Sequence, residues 1–216
     1  MGRGKAAAAT ASTDGGIIRQ RNVARILKAA DAVFAEKGFS GATTGEIAER
    51  ALLPKANLHY YFPTKRDLYT RVLENVLDVW LDALDEVRPD ADPAAALERY
   101  ITRKIAYSRD FPERSRLWAI ELIGGATHVR PFLRKRLRRH VEAKSVILKA
   151  WMAAGKIDEV DPAHLLFMLW ATTQTYADFA TQITAVLGKR RVDDETLAIA
   201  TTTATTLFLK GLGLRR

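Results

Sequence analysis

The stretch from Phe34 to Phe62, FAEKGFSGATTGEIAERALLPKANLHYYF, decides the fold, because it holds two short helical segments separated by a tight turn. The first segment begins after Thr43, whose hydroxyl can accept a hydrogen bond from the amide of Glu46 while the Glu46 carboxylate reaches back to Thr43. The second begins at Pro54, since the fixed φ of proline suits the first turn of a helix. This layout predicts a helix-turn-helix motif that binds DNA.

The second segment presents polar side chains near its start, where a helix in the major groove reads base edges. Asn57 can bond two atoms of an adenine, and Lys55 can reach a guanine or a phosphate. His59 can contact a base or a phosphate, although a single histidine on an amphipathic helix is often merely exposed. Thr44 and Gly45, at the start of the preceding segment, can approach the DNA backbone.

The segment from Arg19 to Leu73 resembles the DNA-binding domain of the TetR family of transcriptional regulators. The resemblance is carried by Gly38 and Phe39 before the capped helix and by the run LHYYFPTK that ends at Lys65. It implies an N-terminal three-helix DNA-binding domain fused to a larger helical domain that dimerises and binds a small effector. The turn departs from the family pattern, which commonly has Gly and a small hydroxyl residue where this chain has Leu52, Leu53 and Pro54.

The resemblance also implies which residues bind DNA. Tyr60 is expected to place its hydroxyl on a phosphate, whereas core packing is the preferred interpretation for Tyr61 and Phe62. Lys65 is expected to bind a phosphate from the first turn after a second cap at Thr64, where backbone amides are free. The predicted DNA-binding residues are Thr44, Gly45, Lys55, Ala56, Asn57, His59, Tyr60 and Lys65.

Proline, glycine and capping residues divide the rest of the chain, and the periodicity between them is helical. No stretch is typical of a strand, so the breakers predict an all-α protein of about nine helices. A first helix is expected to end at Gly38. The later helices are expected to cover residues 64–87, 93–110, 112–124, 131–155, 161–188 and 193–211.

Composition agrees with a DNA-binding protein. The 216 residues include 34 Lys plus Arg against 25 Asp plus Glu, and the resulting charge of +9 favours a polyanionic partner. The chain has no cysteine, which excludes a disulfide framework and suits a reducing cytoplasm.

Three segments are predicted from these patterns. Residues 1–18 lack the apolar run of a signal peptide and are expected to form a disordered basic arm. Residues 19–66 form the predicted helix-turn-helix domain, and residues 67–216 form the predicted effector-binding and dimerisation domain. The arm could add phosphate contacts, or it could be a solvated tail; the side chains concerned are Arg3, Lys5, Arg19 and Arg21.

One helix-turn-helix unit makes too few contacts for tight specific binding, so we expect a homodimer on a pseudo-palindromic operator of double-stranded DNA. Residues 164–170 and 197–209 are apolar on nearly all sides, which indicates that each segment has a partner on both sides. In the family the two corresponding helices form a four-helix bundle with those of the mate. Buried core helices of a monomer are the alternative.

A small-molecule site is suggested by Trp170, Gln174 and Asp178, which share one face of a helix at spacings of four residues. An amide, a carboxylate and a flat aromatic wall suit a small planar heterocycle with N–H and C=O groups. Equally, on spacing alone, Gln174 and Asp178 could bond neighbouring helices or the dimer interface.

Resemblance favours the ligand. The segments VLDVWLDALDEVR, YSRDFPERSRLWAIELIGGA and HLLFMLWATTQTYADFATQ are similar to parts of the pyrimidine-utilisation regulators within the family, which implies uracil or a related pyrimidine as the effector. The expected ligand-binding residues are Trp80, Trp118, Glu121, Gln174, Tyr176 and Asp178.

Other classes of protein lack support in the sequence. The chain has no phosphate-cradling glycine loop, no HExxH and no nucleophile elbow, so we expect neither an enzyme nor a bound cofactor or metal. The apolar run at residues 165–187 is interrupted by Gln174, Asp178 and Gln182, so no transmembrane helix is expected. The basic run at residues 134–139 is expected to coat a solvated face. An architectural DNA-binding protein without an effector remains as an alternative.

Overall fold

The computed structural model describes the backbone of residues 4–214 and the side chains of residues 16–214. This part of the chain is all-α and contains ten helices. Helix α7 comprises three consecutive segments, the middle one a π-helical turn. The helices are α1 Gly4–Gly41, α2 Thr44–Arg50, α3 Lys55–Tyr61, α4 Lys65–Ala83, α5 Pro93–Asp110, α6 Pro112–Ile123, α7 Arg130–Phe132, Leu133–Leu137 and Arg138–Ala153, α8 Pro162–Asp178, α9 Ala180–Leu187 and α10 Asp194–Gly211.

Capping side chains fix several of these helix starts. The Thr43 hydroxyl accepts from the Glu46 amide at 3.2 Å before α2. At α4 the cap is reciprocal, because the Thr64 hydroxyl accepts from the Asp67 amide at 3.1 Å and the Thr64 amide donates to the Asp67 carboxylate, also at 3.1 Å. Aspartate side chains cap α5, α8 and α10 by accepting from the amide three residues later; they are Asp92, Asp161 and Asp193.

Three details differ from the sequence-based predictions. The Glu46 carboxylate binds Lys37 at 2.7 Å, so only the Thr43 half of the expected reciprocal cap is present. Residues 161–188 form two helices, because the backbone leaves the α-helical conformation at Phe179, where neither proline nor glycine marks the break. Residues 4–18, where a disordered arm is expected, are helical backbone within α1, as suits their alanine-rich composition. Arg3 and the Lys5 side chain lie outside the described residues.

The chain divides into two units between Leu73 and Glu74, within α4. In the first unit, α1 is interrupted at Gly38, whose φ of 66° is accessible to glycine without strain. Phe34, Phe39 and Tyr69 form an aromatic cluster there, with both phenylalanine rings 4.9 Å from the tyrosine ring. This cluster packs the end of α1 against α4.

In the second unit, α5 is the central helix and packs against both α8 and α10. Its buried residues Leu97, Tyr100, Ile101 and Ile105 belong to one hydrophobic core, which also includes Trp151. No helix among the described residues is both long and apolar enough to cross a membrane.

Candidate DNA-binding surface and ligand cavity

Helix α3 presents one continuous polar face to solvent. Lys55, Ala56, Asn57 and His59 are exposed, and Tyr60 has 73% of its surface accessible. On the opposite face Leu58 is fully buried, which fixes the rotation of the helix. The predicted base-reading residues are therefore on the accessible side of α3.

The residues beside this face have different surroundings. Phe62 is buried, as expected for core packing. Tyr61 is only half-buried, and its hydroxyl accepts a hydrogen bond from the Asn22 side chain of α1 at 3.3 Å. Tyr61 therefore connects α3 to α1.

His59 is held by contacts on both ring nitrogens. Its Nδ1 lies 3.3 Å from the Pro63 carbonyl oxygen, and its Nε2 lies 3.4 Å from the Thr44 hydroxyl. When Nδ1 carries the proton, the ring donates to Pro63 and accepts from Thr44. His59 thereby connects the starts of α2 and α4 at the edge of the exposed face.

Lys65 has a structural contact that the sequence does not indicate. Its ammonium donates to the carbonyl oxygens of Phe39 at 2.8 Å and Ala42 at 3.0 Å, and it lies 4.6 Å from the centre of the Phe39 ring. These bonds join the first turn of α4 to the turn between α1 and α2. Because an ammonium has three donors, one N–H remains for a phosphate.

The turn between α2 and α3 places Leu52 in the left-handed conformation, with φ 55°. Its side chain is 80% exposed, and its carbonyl oxygen accepts from Arg25 at 3.0 Å. Left-handed backbone costs a residue with a Cβ atom roughly 1–2 kcal/mol. The turn therefore keeps a conformation that glycine adopts freely, even though leucine occupies it.

The second unit contains a cavity of about 230 Å³. It lies between α4, α5, α6, α8 and the π-helical turn of α7, and most of its wall is leucine and tryptophan. Its lining residues are Leu77, Trp80, Leu81, Leu84, Lys104, Trp118, Leu122, Leu133, Leu137, Trp170 and Gln174. Pockets for drug-sized ligands hold roughly 300–1,000 Å³, so this cavity suits a smaller molecule.

The polar groups of the cavity wall are few. Gln174 contributes an amide, and Lys104 contributes an amine that is 1% exposed and lies 3.7 Å from the centre of the Trp80 ring. The indole N–H of Trp80 is buried and has no hydrogen-bond partner among the described residues. Buried polar groups are normally hydrogen-bonded, so this N–H marks a position for an acceptor.

Burial holds the pKa of Lys104 well below its usual range, and the opposing influence of the Asp178 carboxylate is smaller. Burial also raises the pKa of Asp178, although the Ser115 hydroxyl donates to this carboxylate at 2.5 Å and Lys104 and Arg116 lie near enough to favour its charge. Lys104, in the cavity wall, and Asp178 therefore influence each other's charge.

The predicted ligand-binding residues divide into two groups. Trp80, Trp118 and Gln174 line the cavity together. Asp178 does not line this cavity. Glu121 accepts from the His128 amide at 2.7 Å, and Tyr176 lines a different cavity.

Lys104 was missed by sequence reasoning. A signal was present, because it occupies a buried stripe of α5 that continues from Leu97 and Ile101 to Ser108. A lysine in an otherwise buried stripe suggests a buried amine with a function.

Trp170 lies on the same face of α8 as Gln174. Its indole N–H donates to the hydroxyl of Tyr100, and burial raises the pKa of that hydroxyl.

The residues described include no cluster of side chains that could hold a metal ion.

Two family models match consecutive parts of the chain. The model described as bacterial regulatory proteins of the tetR family matches residues 26–72. The model described as the C-terminal region of YcdC-like proteins matches residues 73–215.

Similar proteins extend over most of the chain. The HTH-type transcriptional regulator RutR of Escherichia coli strain K12 is 44% identical over 169 residues, which are 78% of this chain and 80% of that protein. The HTH-type transcriptional repressor NicS of Pseudomonas putida is 29% identical and covers 87% of this chain and 90% of its own. The crystal structure of the TetR family regulator PfmR from Thermus thermophilus has a TM-score of 0.67 at 22% identity, covers 89% of this chain and 100% of its own, and shows a shared fold.

Proposed function

Because the chain belongs to the TetR family of transcriptional regulators, we propose that it represses genes as a homodimer on a pseudo-palindromic operator and is released by a small planar heterocycle such as uracil or thymine. Family membership already implies binding to a DNA operator and a non-enzymatic role. We further propose the dimer, the effector and the residues that bind DNA and the effector.

The observation that carries the effector proposal is the 230 Å³ cavity, in which flat indole walls surround a few polar groups. Uracil and thymine have two carbonyl oxygens that can accept from the Trp80 indole N–H and the Lys104 amine, and ring N–H groups that can donate to the Gln174 amide oxygen. Trp118 lies with its ring centre 5.7 Å from that of Trp80 and supplies a second aromatic wall. This combination suits a neutral heterocycle with alternating donors and acceptors.

On DNA, we assign base contacts to Lys55 and Asn57 and backbone contacts to Tyr60 and Lys65. The exposed face of α3 supports this assignment. Thr44, Gly45, Ala56 and His59 complete the proposed interface at its edges. The +9 charge of the chain adds attraction that is independent of sequence.

For the dimer, we assign the interface to α8 and α10. Each carries large apolar side chains that are at least half exposed within one chain: Phe167 at 50%, Met168 at 64%, Ile199 at 61% and Leu207 at 66%. Exposed apolar patches of this kind mark association sites on otherwise soluble domains. A two-fold axis at this surface would give two copies of α3 for two half-sites.

The proposed switch is a shift between two populations of the dimer. The effector would stabilise the form whose two α3 helices do not match successive major grooves, about 34 Å apart. Helix α4 contributes Lys65 to the proposed DNA-binding residues and Leu77, Trp80 and Leu81 to the cavity, so a small shift of α4 would affect both. A coupling free energy of about 1–3 kcal/mol would produce a useful response.

A second function has one observation in its favour. Most of the cavity wall is apolar, which also fits a regulator of this family that senses another hydrophobic or drug-like ligand. An architectural DNA-binding protein without an effector is less well supported, because it needs no such cavity.

Thermal melting distinguishes these possibilities. A ligand at ~100 times its dissociation constant stabilises a protein by ~2.7 kcal/mol, which shifts the melting temperature visibly. We expect uracil or thymine to raise the melting temperature of the wild type and not that of Gln174→Ala. The matched control Gln182→Ala, at an exposed position on α9, should respond as the wild type does. Stabilisation by apolar aromatics but not by pyrimidines would favour the second function.

A further inference from the structure

A second cavity of the larger unit, of about 360 Å³, is distinguished by its positive charge. It lies where α5 ends and α6 begins, beside α8, α9 and the segment that leads into α10. Of the described residues that line it, four are arginines and none is acidic; the arginines are Arg109, Arg116, Arg190 and Arg191.

Two of these arginines have acidic neighbours at the edge of the cavity. Arg109 donates to Asp110 from Nε at 2.7 Å and from Nη2 at 3.3 Å, and Arg116 donates to Glu113 at 3.3 Å. Arg190 and Arg191 are exposed and form no hydrogen bond or ion pair with any other described residue. Each guanidinium has five N–H donors, so most of the donors around this cavity have no acceptor among the described residues.

The rest of the wall is uncharged and includes the hydroxyl residues Ser108, Thr181 and Thr184. Pro112, Ala180, Val192 and Leu197 are apolar, and the half-buried Tyr176 adds an aromatic ring with a hydroxyl. Arginine forks match the geometry of phosphate oxygens, and charge-assisted hydrogen bonds are about twice as strong as neutral ones. An apolar and aromatic wall beside four guanidinium groups suits an organic molecule with an anionic group at one end.

We propose that this arginine-lined cavity binds an organic phosphate, with the guanidinium groups of Arg190 and Arg191 on the phosphate and Tyr176 against the body of the ligand. This site is independent of the proposed pyrimidine effector and is separate from its cavity. The two cavities share no lining residue, and the hydroxyl of Ser108, which lines the arginine-rich one, donates to the Thr173 carbonyl oxygen of α8 at 2.9 Å.

The test compares uridine 5′-monophosphate with uridine, since the two differ by the phosphate alone. Affinity is measured by calorimetry without DNA, at constant ionic strength. The wild type should bind the monophosphate more tightly than uridine. The double variant Arg190→Ala with Arg191→Ala should lose this preference, because each arginine removed should weaken binding of the monophosphate by about tenfold. The matched control is Arg138→Ala with Arg139→Ala, which removes the same charge from exposed positions on α7 that do not line the cavity.

Equal affinity of the wild type for the two ligands would overturn the proposal. A phosphate preference that survives in the Arg190 and Arg191 double variant would also overturn it. So would a preference that the control variant loses to the same extent, because the preference would then depend on net charge and not on this cavity. Thermal melting without ligand verifies that each variant is folded. If the double alanine variant is not folded, the test is repeated with Arg190→Gln and Arg191→Gln. The result for Gln174→Ala with uracil is separate, so failure of this proposal leaves the effector proposal untouched.

Discussion

At the scale of single residues, the turn of the helix-turn-helix motif holds Leu52 in a left-handed backbone conformation that leucine does not favour. The turn between α2 and α3 requires φ 55°, and an exposed leucine side chain gains little there by burial. We predict that Leu52→Gly raises the free energy of unfolding by about 0.5–1 kcal/mol, because removing the Cβ atom relieves strain in excess of the added chain entropy. Denaturant unfolding measures this change.

The control for this prediction is Ala56→Gly, which introduces glycine at a position where the backbone is α-helical. It should lower the free energy of unfolding by about 1 kcal/mol. A decrease of the same size for Leu52→Gly would show that the left-handed turn carries no strain.

Lys104 is the residue at which stability and function are expected to conflict. Its pKa is depressed in the folded protein, so the unfolded chain binds an additional proton in the interval between the folded and unfolded pKa values. The folded state therefore gains stability as pH rises through that interval. Lys104→Met should abolish this gain and be more stable than the wild type near pH 7, because a methionine at this position has no charge to lose on burial.

Thermal melting from pH 7 to pH 10 tests this, with the exposed substitution Lys149→Met as the control. We also expect Lys104→Met to lose its response to uracil. A variant that is less stable than the wild type near pH 7 would contradict the assigned cost of the buried amine.

At the scale of helices, the sequence predicts starts better than interruptions. Thr64 with Asp67, and the aspartates before α5, α8 and α10, are local signals because a cap acts within one turn of the chain. The break at Phe179 and the π-helical turn of α7 have no such signal in the neighbouring residues.

The residues that line the 230 Å³ cavity can likewise be predicted only in part from local sequence. Trp80, Trp118 and Gln174 could be selected from spacing and resemblance, but Lys104 joins them only through the packing of α5 against α4 and α8. Tyr176 is close to Gln174 in sequence and yet lines the other cavity, because neighbouring positions of a helix face different directions. Sequence therefore predicts the helices that form the site more reliably than the side chains that enter it.

The reciprocal cap of α4 gives a prediction at this scale. Thr64→Ala removes a hydroxyl that accepts from the Asp67 amide, and it should lower the free energy of unfolding by about 1 kcal/mol. It should also weaken DNA binding, since Lys65 lies in the turn that the cap starts. Thr102→Ala, at an exposed position within α5, serves as the control and should change neither quantity appreciably. Unaltered stability of Thr64→Ala would indicate that packing alone fixes this helix start.

At the scale of the whole molecule, the assignment of α8 and α10 to the dimer interface predicts the effect of a buried charge. Ile199→Glu should convert the dimer to monomers at micromolar concentration, because a carboxylate in an apolar interface has no partner. Sedimentation velocity measures the change. Val146→Glu alters an equally exposed apolar residue of α7 and should leave the dimer intact; dissociation of both variants, or of neither, would contradict the assigned interface.

The most direct test of the account is release of the protein from its operator by the effector. An operator duplex selected by the protein from random DNA is labelled, and its fluorescence anisotropy is followed while uracil is added to the complex. The account predicts that uracil releases the wild type and Gln182→Ala, while Gln174→Ala binds the duplex with unchanged affinity and is not released. Release of Gln174→Ala at the same uracil concentration, or no release of the wild type, would contradict the claim that this cavity is the sensor.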